Sequence, residues 1–165
     1  FAILPCSAIN DAVASVAAQN LGVGKEARAL ASIKDARKIA IVYVCAVFAA
    51  IFFFPNLLTG IFSDEAEVIQ ITVGYLKVAS FMYFCYAFAY PEQGFLKGSG
   101  NSGFVLLNSL LLQYVFKIPF AYFLSVHTAL GLKGIAVTWI IGPMLSATTY
   151  SLYIHKGIWR KHWLS

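Results

Sequence analysis

The sequence predicts an all-α, polytopic integral membrane protein with about five transmembrane helices. Two observations carry this expectation: five long apolar runs, and the way the basic residues are shared out between them. The runs cover approximately residues 1–22, 39–62, 69–95, 104–126 and 134–154. Apolar residues make up 60% of the chain and charged residues 12%, against roughly a quarter charged in soluble domains. A spanning helix needs about 20 apolar residues at 1.5 Å of rise each. A soluble domain of this size can bury one such helix, but five would leave almost nothing to face water, which excludes a soluble globular fold.

The bases orient the runs. Nine of the twelve Lys and Arg residues fall in alternate gaps: Lys25, Arg28, Lys34, Arg37 and Lys38, then Lys97, then Lys156, Arg160 and Lys161. The gap near residues 62–67 carries only acids, Asp64, Glu65 and Glu67, and the gap at 125–133 carries one base, Lys133. Short loops rich in Lys and Arg stay on the cytoplasmic side. The chain is therefore expected to be multi-pass in the cell (plasma or inner) membrane, with a cytoplasmic tail at 155–165. The net charge of +5 follows from the inner loops and suits anionic inner-leaflet lipids; it calls for no nucleic-acid partner.

The first run starts inside a hydrophobic segment, with no initiator Met and no preceding base, and carries Asn10 and Asp11 at its centre. These features argue against a signal peptide and for a piece of a longer chain. The run ends at Gly22-Val23-Gly24-Lys25. The stretch Glu26–Lys38 then reads either as an interfacial lead-in to the second helix or as a plain solvated loop helix. The second helix stops near Gly60-Ile61-Phe62, and Asp64 with Glu67 resembles a capping box opening the third. From Val68 to Leu96 that third helix would be about 43 Å long, beyond a hydrocarbon core of about 30 Å, so it must tilt, kink or protrude. Pro91 is the expected kink. A second G-x-G turn, Lys97-Gly98-Ser99-Gly100, leads to a fourth helix containing Pro119, and the fifth is interrupted by Gly142-Pro143. The tail, with Trp159 and Trp163 among bases, reads as an interface anchor. Neither G-x-G turn has the spacing of a phosphate loop, because the required places hold Gln19 and Glu26.

Ionisable groups within spans are costly and indicate function by default. Asp11, about 16 Å of helix from Gly22, is the candidate cation or proton site, or else one half of a structural bridge to a lysine. Lys77 and Lys117 are candidate cavity walls, although Lys77 could instead snorkel to the interface. Tyr83, Tyr86 and Tyr90 form one stripe that either packs or offers ring faces to flat organic cations. Glu92 and Gln93, near an inner helix end, are expected to reach interfacial water. Cys6, Cys45 and Cys85 are isolated and read as small hydrophobes. No Cys/His spacing fits a metal, and no catalytic set is apparent, which favours a conduit over an enzyme.

Four motifs resemble one family in register. Ala17–Lys25 with Glu26-Ala27-Arg28-Ala29 resembles the inner end of the eighth helix in the multidrug and toxic compound extrusion (MATE) family. Ile61–Val68 looks like the outer loop before the tenth helix, Gln93–Ser102 like the turn after it, and Lys117-Ile118-Pro119 like the basic-x-Pro element of the eleventh. The resemblance implies helices eight to twelve of a twelve-helix, two-lobe antiporter that exports organic cations and drugs against Na⁺ or H⁺, with no other cofactor. The partners it implies are membrane lipids, the exported small molecules and the amino-terminal lobe of the same polypeptide. Some members carry a coupling carboxylate eleven residues before the base of the closing turn. Here that place holds Tyr86, which cannot be an ionised ligand, so Asp11 stands as the substitute candidate. A lipid-linked saccharide flippase of the same wider superfamily and a non-transporting membrane scaffold are the alternatives.

Overall fold

The computed structural model describes residues 2–62 and 65–160, and those residues form helices with no strand among them. The capping role expected of Asp64 lies outside the described residues, as do Lys161, His162 and Trp163. The helices are α1 (Leu4–Gly22), α2 (Glu26–Phe53), a short α3 (Pro55–Gly60), α4 (Ala66–Ala79), α5 (Met82–Gly98), α6 (Ser102–Leu110), α7 (Ile118–Val126) and α8 (Leu132–His155), with a π-helical segment, Leu111–Lys117, joining α6 to α7.

α5 is the centre of the bundle and packs against α1, α2, α6 and α8. Its approach to α1 is set by glycine. A Cβ at Gly94 would collide with the Asn10 carbonyl oxygen, and one at Gly98 with that of Ala14. The spacing Gly94-x-x-x-Gly98 thus lets two backbones meet, the device helices use where lipid removes any hydrophobic drive to associate. Around this contact lies a core of Val13, Ala17, Leu21, Ile33, Phe95 and Leu96, closed by Tyr150 and Trp159. A second cluster, Cys6, Ala40, Val44, Tyr83 and Ala87, lies further along the same helices.

The two G-x-G turns have one geometry. α1 and α5 each end on the first glycine, and the second takes a positive φ, +71° at Gly24 and +81° at Gly100. Gly24 and Lys25 donate to Leu21 and Asn20, and Gly100 and Asn101 donate to Lys97 and Leu96. These are the paired bonds of a Schellman cap, which needs a left-handed residue. Both turns and the end of α8 gather at one end of the bundle, where Asn101 donates to the Trp159 carbonyl at 3.0 Å and Arg160 Nε donates to Glu26 at 3.0 Å. The Glu26 carboxylate beside it holds the exposed Arg160 guanidinium above its usual pKa. The inner gaps, with the bases described in them, thus share one end.

Several expectations need correction. The long third helix bends by 43° between α4 and α5, at Ser80 and not at Pro91. The buried Ser80 hydroxyl donates to the Lys77 carbonyl at 2.7 Å, a local bond that competes with the helical ladder. Pro91 lies buried in an unbroken α5. The second helix divides at Phe54-Pro55, because Pro55 at the first position of α3 has no N–H to continue α2 and restricts Phe54 before it. Pro119 is absorbed by widening the preceding turns to π geometry, and α8 runs continuously through Pro143. Glu26–Lys38 does lead into the second helix, as the first part of one continuous α2 and not as a separate loop helix, and its Ala29 and Ile33 enter the core. Trp159 is not an interface anchor; it is 1% exposed, edge-on to Phe95 at 5.0 Å.

By length and composition α2, the α6–α7 pass and α8 can cross a membrane, and the bent α4–α5 pair passes the same test when its two halves are taken as one span. α1 has 19 residues but includes Asn10, Asp11, Gln19 and Asn20, so it falls short of the same apolarity. Large apolar side chains face outward, Val42 at 73% and Val115 at 68% exposure, as a lipid-facing surface requires.

Replacing Gly94 or Gly98 by Val forces α1 away from α5 and should cost at least about 1–3 kcal/mol. The check is thermal unfolding of the detergent-purified protein; Gly103→Val, where no atom lies within 4 Å of the added Cβ, should not reproduce the loss.

Candidate functional site

A cavity of about 180 Å³ opens where α5, the π segment and α8 meet. α5 contributes Tyr86, Tyr90 and Gln93, spaced along one face. The α6–α7 pass contributes Ser109, Gln113 and Lys117, the last two from the widened π turns. α8 contributes Ser146 and Tyr150. Gly142, also from α8, would present its Cβ to open space, so a larger residue would narrow the cavity.

The lining combines ring faces, hydroxyls and amides with a single charge. The Tyr86 and Tyr90 rings stack at 5.1 Å, and the Ser109 and Tyr150 hydroxyls lie 3.5 Å apart. The Lys117 ammonium sits 3.1 Å from the centre of the Trp139 ring, a cation–π contact that holds a charge where water is scarce. Gln93 ties the cavity to α1. Asn10, 2% exposed, donates to Gln93 Oε1 at 2.7 Å and to the Tyr90 carbonyl at 3.1 Å, while Lys97 donates to Asn10 Oδ1 at 2.9 Å.

Of the residues singled out in the sequence, Tyr86, Tyr90 and Lys117 meet here. Three lie elsewhere. Tyr83 is buried among Cys6, Ala40 and Val44. Lys77 is exposed in the last turn of α4, its ammonium 5.9 Å from the Phe52 ring. Asp11 has a side chain 73% exposed, outside this cavity, and lies 4.0 Å from the Lys97 ammonium.

Sequence reasoning missed two features. Glu92 does not reach interfacial water: its side chain is 7% exposed and meets the Arg37 guanidinium of α2 at 2.6 Å. Arg37 also lies 5.1 Å from the Phe88 ring. Asn10 was passed over beside the more conspicuous Asp11. Its signal was a polar side chain in an apolar run, together with two glycines four residues apart on the partner helix. Among the described residues no group of His, Cys, Asp and Glu could hold a metal.

A bundle of membrane-length helices around a polar cavity defines a polytopic helical membrane protein. The chain belongs to the MatE family, whose model matches residues 1–123. It is 23% identical over 158 residues to the probable multidrug resistance protein NorM of Thermotoga maritima, covering 96% of this chain and 34% of that protein. It is 30% identical over 157 residues to the probable multidrug resistance protein YpnP of Bacillus subtilis, covering 95% and 35%. The chain thus spans about a third of the length of the curated relatives it matches. Two solved structures share its fold over 97% of its length. One is described as the inward-facing conformation of a multidrug resistance MATE family transporter of the MOP superfamily (TM-score 0.85, 24% identity, 38% of that chain). The other is the outward-facing conformation of such a transporter (TM-score 0.87, 22% identity, 36% of that chain).

Glu92→Ala should cost about 2 kcal/mol, below the 3–5 kcal/mol typical of a fully buried pair because Arg37 keeps partial exposure. Exchanging both partners for apolar residues of similar volume should recover most of that loss. Unfolding of the single and double variants in detergent measures both.

Proposed function

We propose that this chain forms part of the carboxyl-terminal lobe of a cation-coupled multidrug exporter that works by alternating access, with Na⁺ or H⁺ as the coupling ion. The observation that carries the reading is the convergence of Tyr86, Tyr90, Gln93, Gln113 and Lys117 on one cavity beside a π-helical break. Transporters place substrate sites between interrupted helices at the midplane, and irregular backbone is tolerated in a membrane where it lines a cavity. Stacked tyrosine faces suit flat organic cations, and the amino-terminal lobe of the full polypeptide would supply the opposite wall. The near-equal match to an inward-facing and an outward-facing structure supports a unit that moves without repacking. The basic end is the cytoplasmic one in this reading.

Asp11 is the proposed ion ligand. Lys97 is shared between Asp11 and Asn10, and Asn10 bonds Gln93 in the cavity wall. A cation at Asp11 competes with Lys97 and so acts on the Asn10–Gln93 bond. Coupling follows if one conformation binds the ion more tightly than the other.

One observation favours a second reading. Among the described residues Lys117 is the only charged one lining the cavity, as an anionic cargo such as a lipid-linked saccharide would prefer. Cells expressing the full-length polypeptide should accumulate several-fold less ethidium, with accumulation restored when the Na⁺ and H⁺ gradients are collapsed; unchanged accumulation counts against export of organic cations. Asp11→Asn should weaken efflux while leaving membrane insertion intact, and normal efflux would return Asp11 to a surface ion pair. Lys117→Gln should spare ethidium efflux, whereas a flippase would lose transport with that charge.

A further inference from the structure

The groove between α2 and α8 changes chemistry along its length. At the basic end of the bundle a cavity of about 360 Å³ is bordered by Lys34, Arg37, His155 and Arg160, with Trp159 in its wall. Next to it a cavity of about 540 Å³ runs along Phe84, Phe88, Met144 and Leu152. The two share Arg37, Glu92 and Ser151, so they adjoin at the Arg37–Glu92 pair. Among the described residues Glu92 is the only acid lining either one, and its charge is taken up by Arg37. Lys34, His155 and Arg160 remain exposed, although Arg160 also bonds Glu26.

An occupant of this groove must be negative at one end and apolar along the rest. A helix packed there would meet that description only with an acid at this end of it. A phospholipid meets it, and basic clefts between helices on the cytoplasmic side suit anionic head groups. We infer that the α2–α8 groove binds one anionic phospholipid, its phosphate held by Lys34, His155 and Arg160 and one acyl chain lying along the Phe84–Leu152 wall. The inference requires only that this end of the bundle lies at a head-group layer; it does not depend on what the protein exports.

The test is native mass spectrometry of the detergent-purified full-length polypeptide titrated with dioleoyl phosphatidylglycerol or with dioleoyl phosphatidylcholine. One phosphatidylglycerol should be retained at least about ten-fold more tightly than the choline lipid. Lys34→Gln with His155→Gln should weaken it by about five-fold or more, the effect of about one surface charge. Thr148→Trp, which projects into the apolar half from an exposed position, should weaken it independently. Lys25→Gln with Arg28→Gln, which removes two charges at the same end but outside the groove, should leave it unchanged. Equal retention of the two lipids, an equal loss in the Lys25/Arg28 variant, or a full-length protein that takes up no lipid because its own helix fills the groove would each overturn the assignment.

Discussion

The close backbone contact of α1 with α5 is the constraint on which the rest of the bundle depends. In hydrocarbon, packing distance decides whether two helices associate, since lipid tails are as apolar as the side chains they would replace. Gly94 and Gly98 remove the atoms that would hold the backbones apart. Only at that separation can Asn10 reach both the Tyr90 carbonyl and Gln93. The same contact aligns Ala17 and Leu21 with Phe95 and Leu96, and thereby sets where α2 and α8 come to rest against α5.

The polar groups of the interior divide into two kinds. The Asn10–Gln93–Lys97 set is satisfied by short hydrogen bonds and fixes one register of α1 on α5. The Arg37–Glu92 pair joins α2 to α5 by charge and leaves Arg37 Nε and Glu92 Oε2 without protein partners. A buried pair of that kind is poor evidence for stability but strongly specifies which helix faces meet. The first set borders the central cavity and the second the lateral groove, so one stretch of α5, Pro91 to Lys97, serves two chambers from different faces.

The helical class, the clustering of basic ends and both G-x-G caps were legible because they depend on local chemistry: apolar run length, charge and the glycine requirement of a left-handed cap. The cavity was legible in part, through the Tyr86–Tyr90 spacing and Lys117. Prolines misled. Pro91 promised a kink that Ser80 makes instead, and Pro119 was accommodated by π turns, because a neighbouring helix or a widened turn can absorb a missing donor. Tyr83 shares a helix face with Tyr90 but lies about two turns nearer the Ser80 bend, where Cys6, Ala40 and Val44 enclose it. Trp159 and Glu92 were read as interfacial from sequence position alone, yet tertiary partners, Phe95 and Arg37, draw both inside.

The joint at Ser80 divides one membrane pass into unequal mechanical parts. Below it α5 is gripped by α1, α2 and α8; above it α4 leans mainly on α8 and on the short α3. Amide hydrogen exchange follows the free energy of local opening, so the protection pattern along this single pass should step sharply near residue 80. The α4 half can then open locally while the α5 half holds the register of the whole bundle.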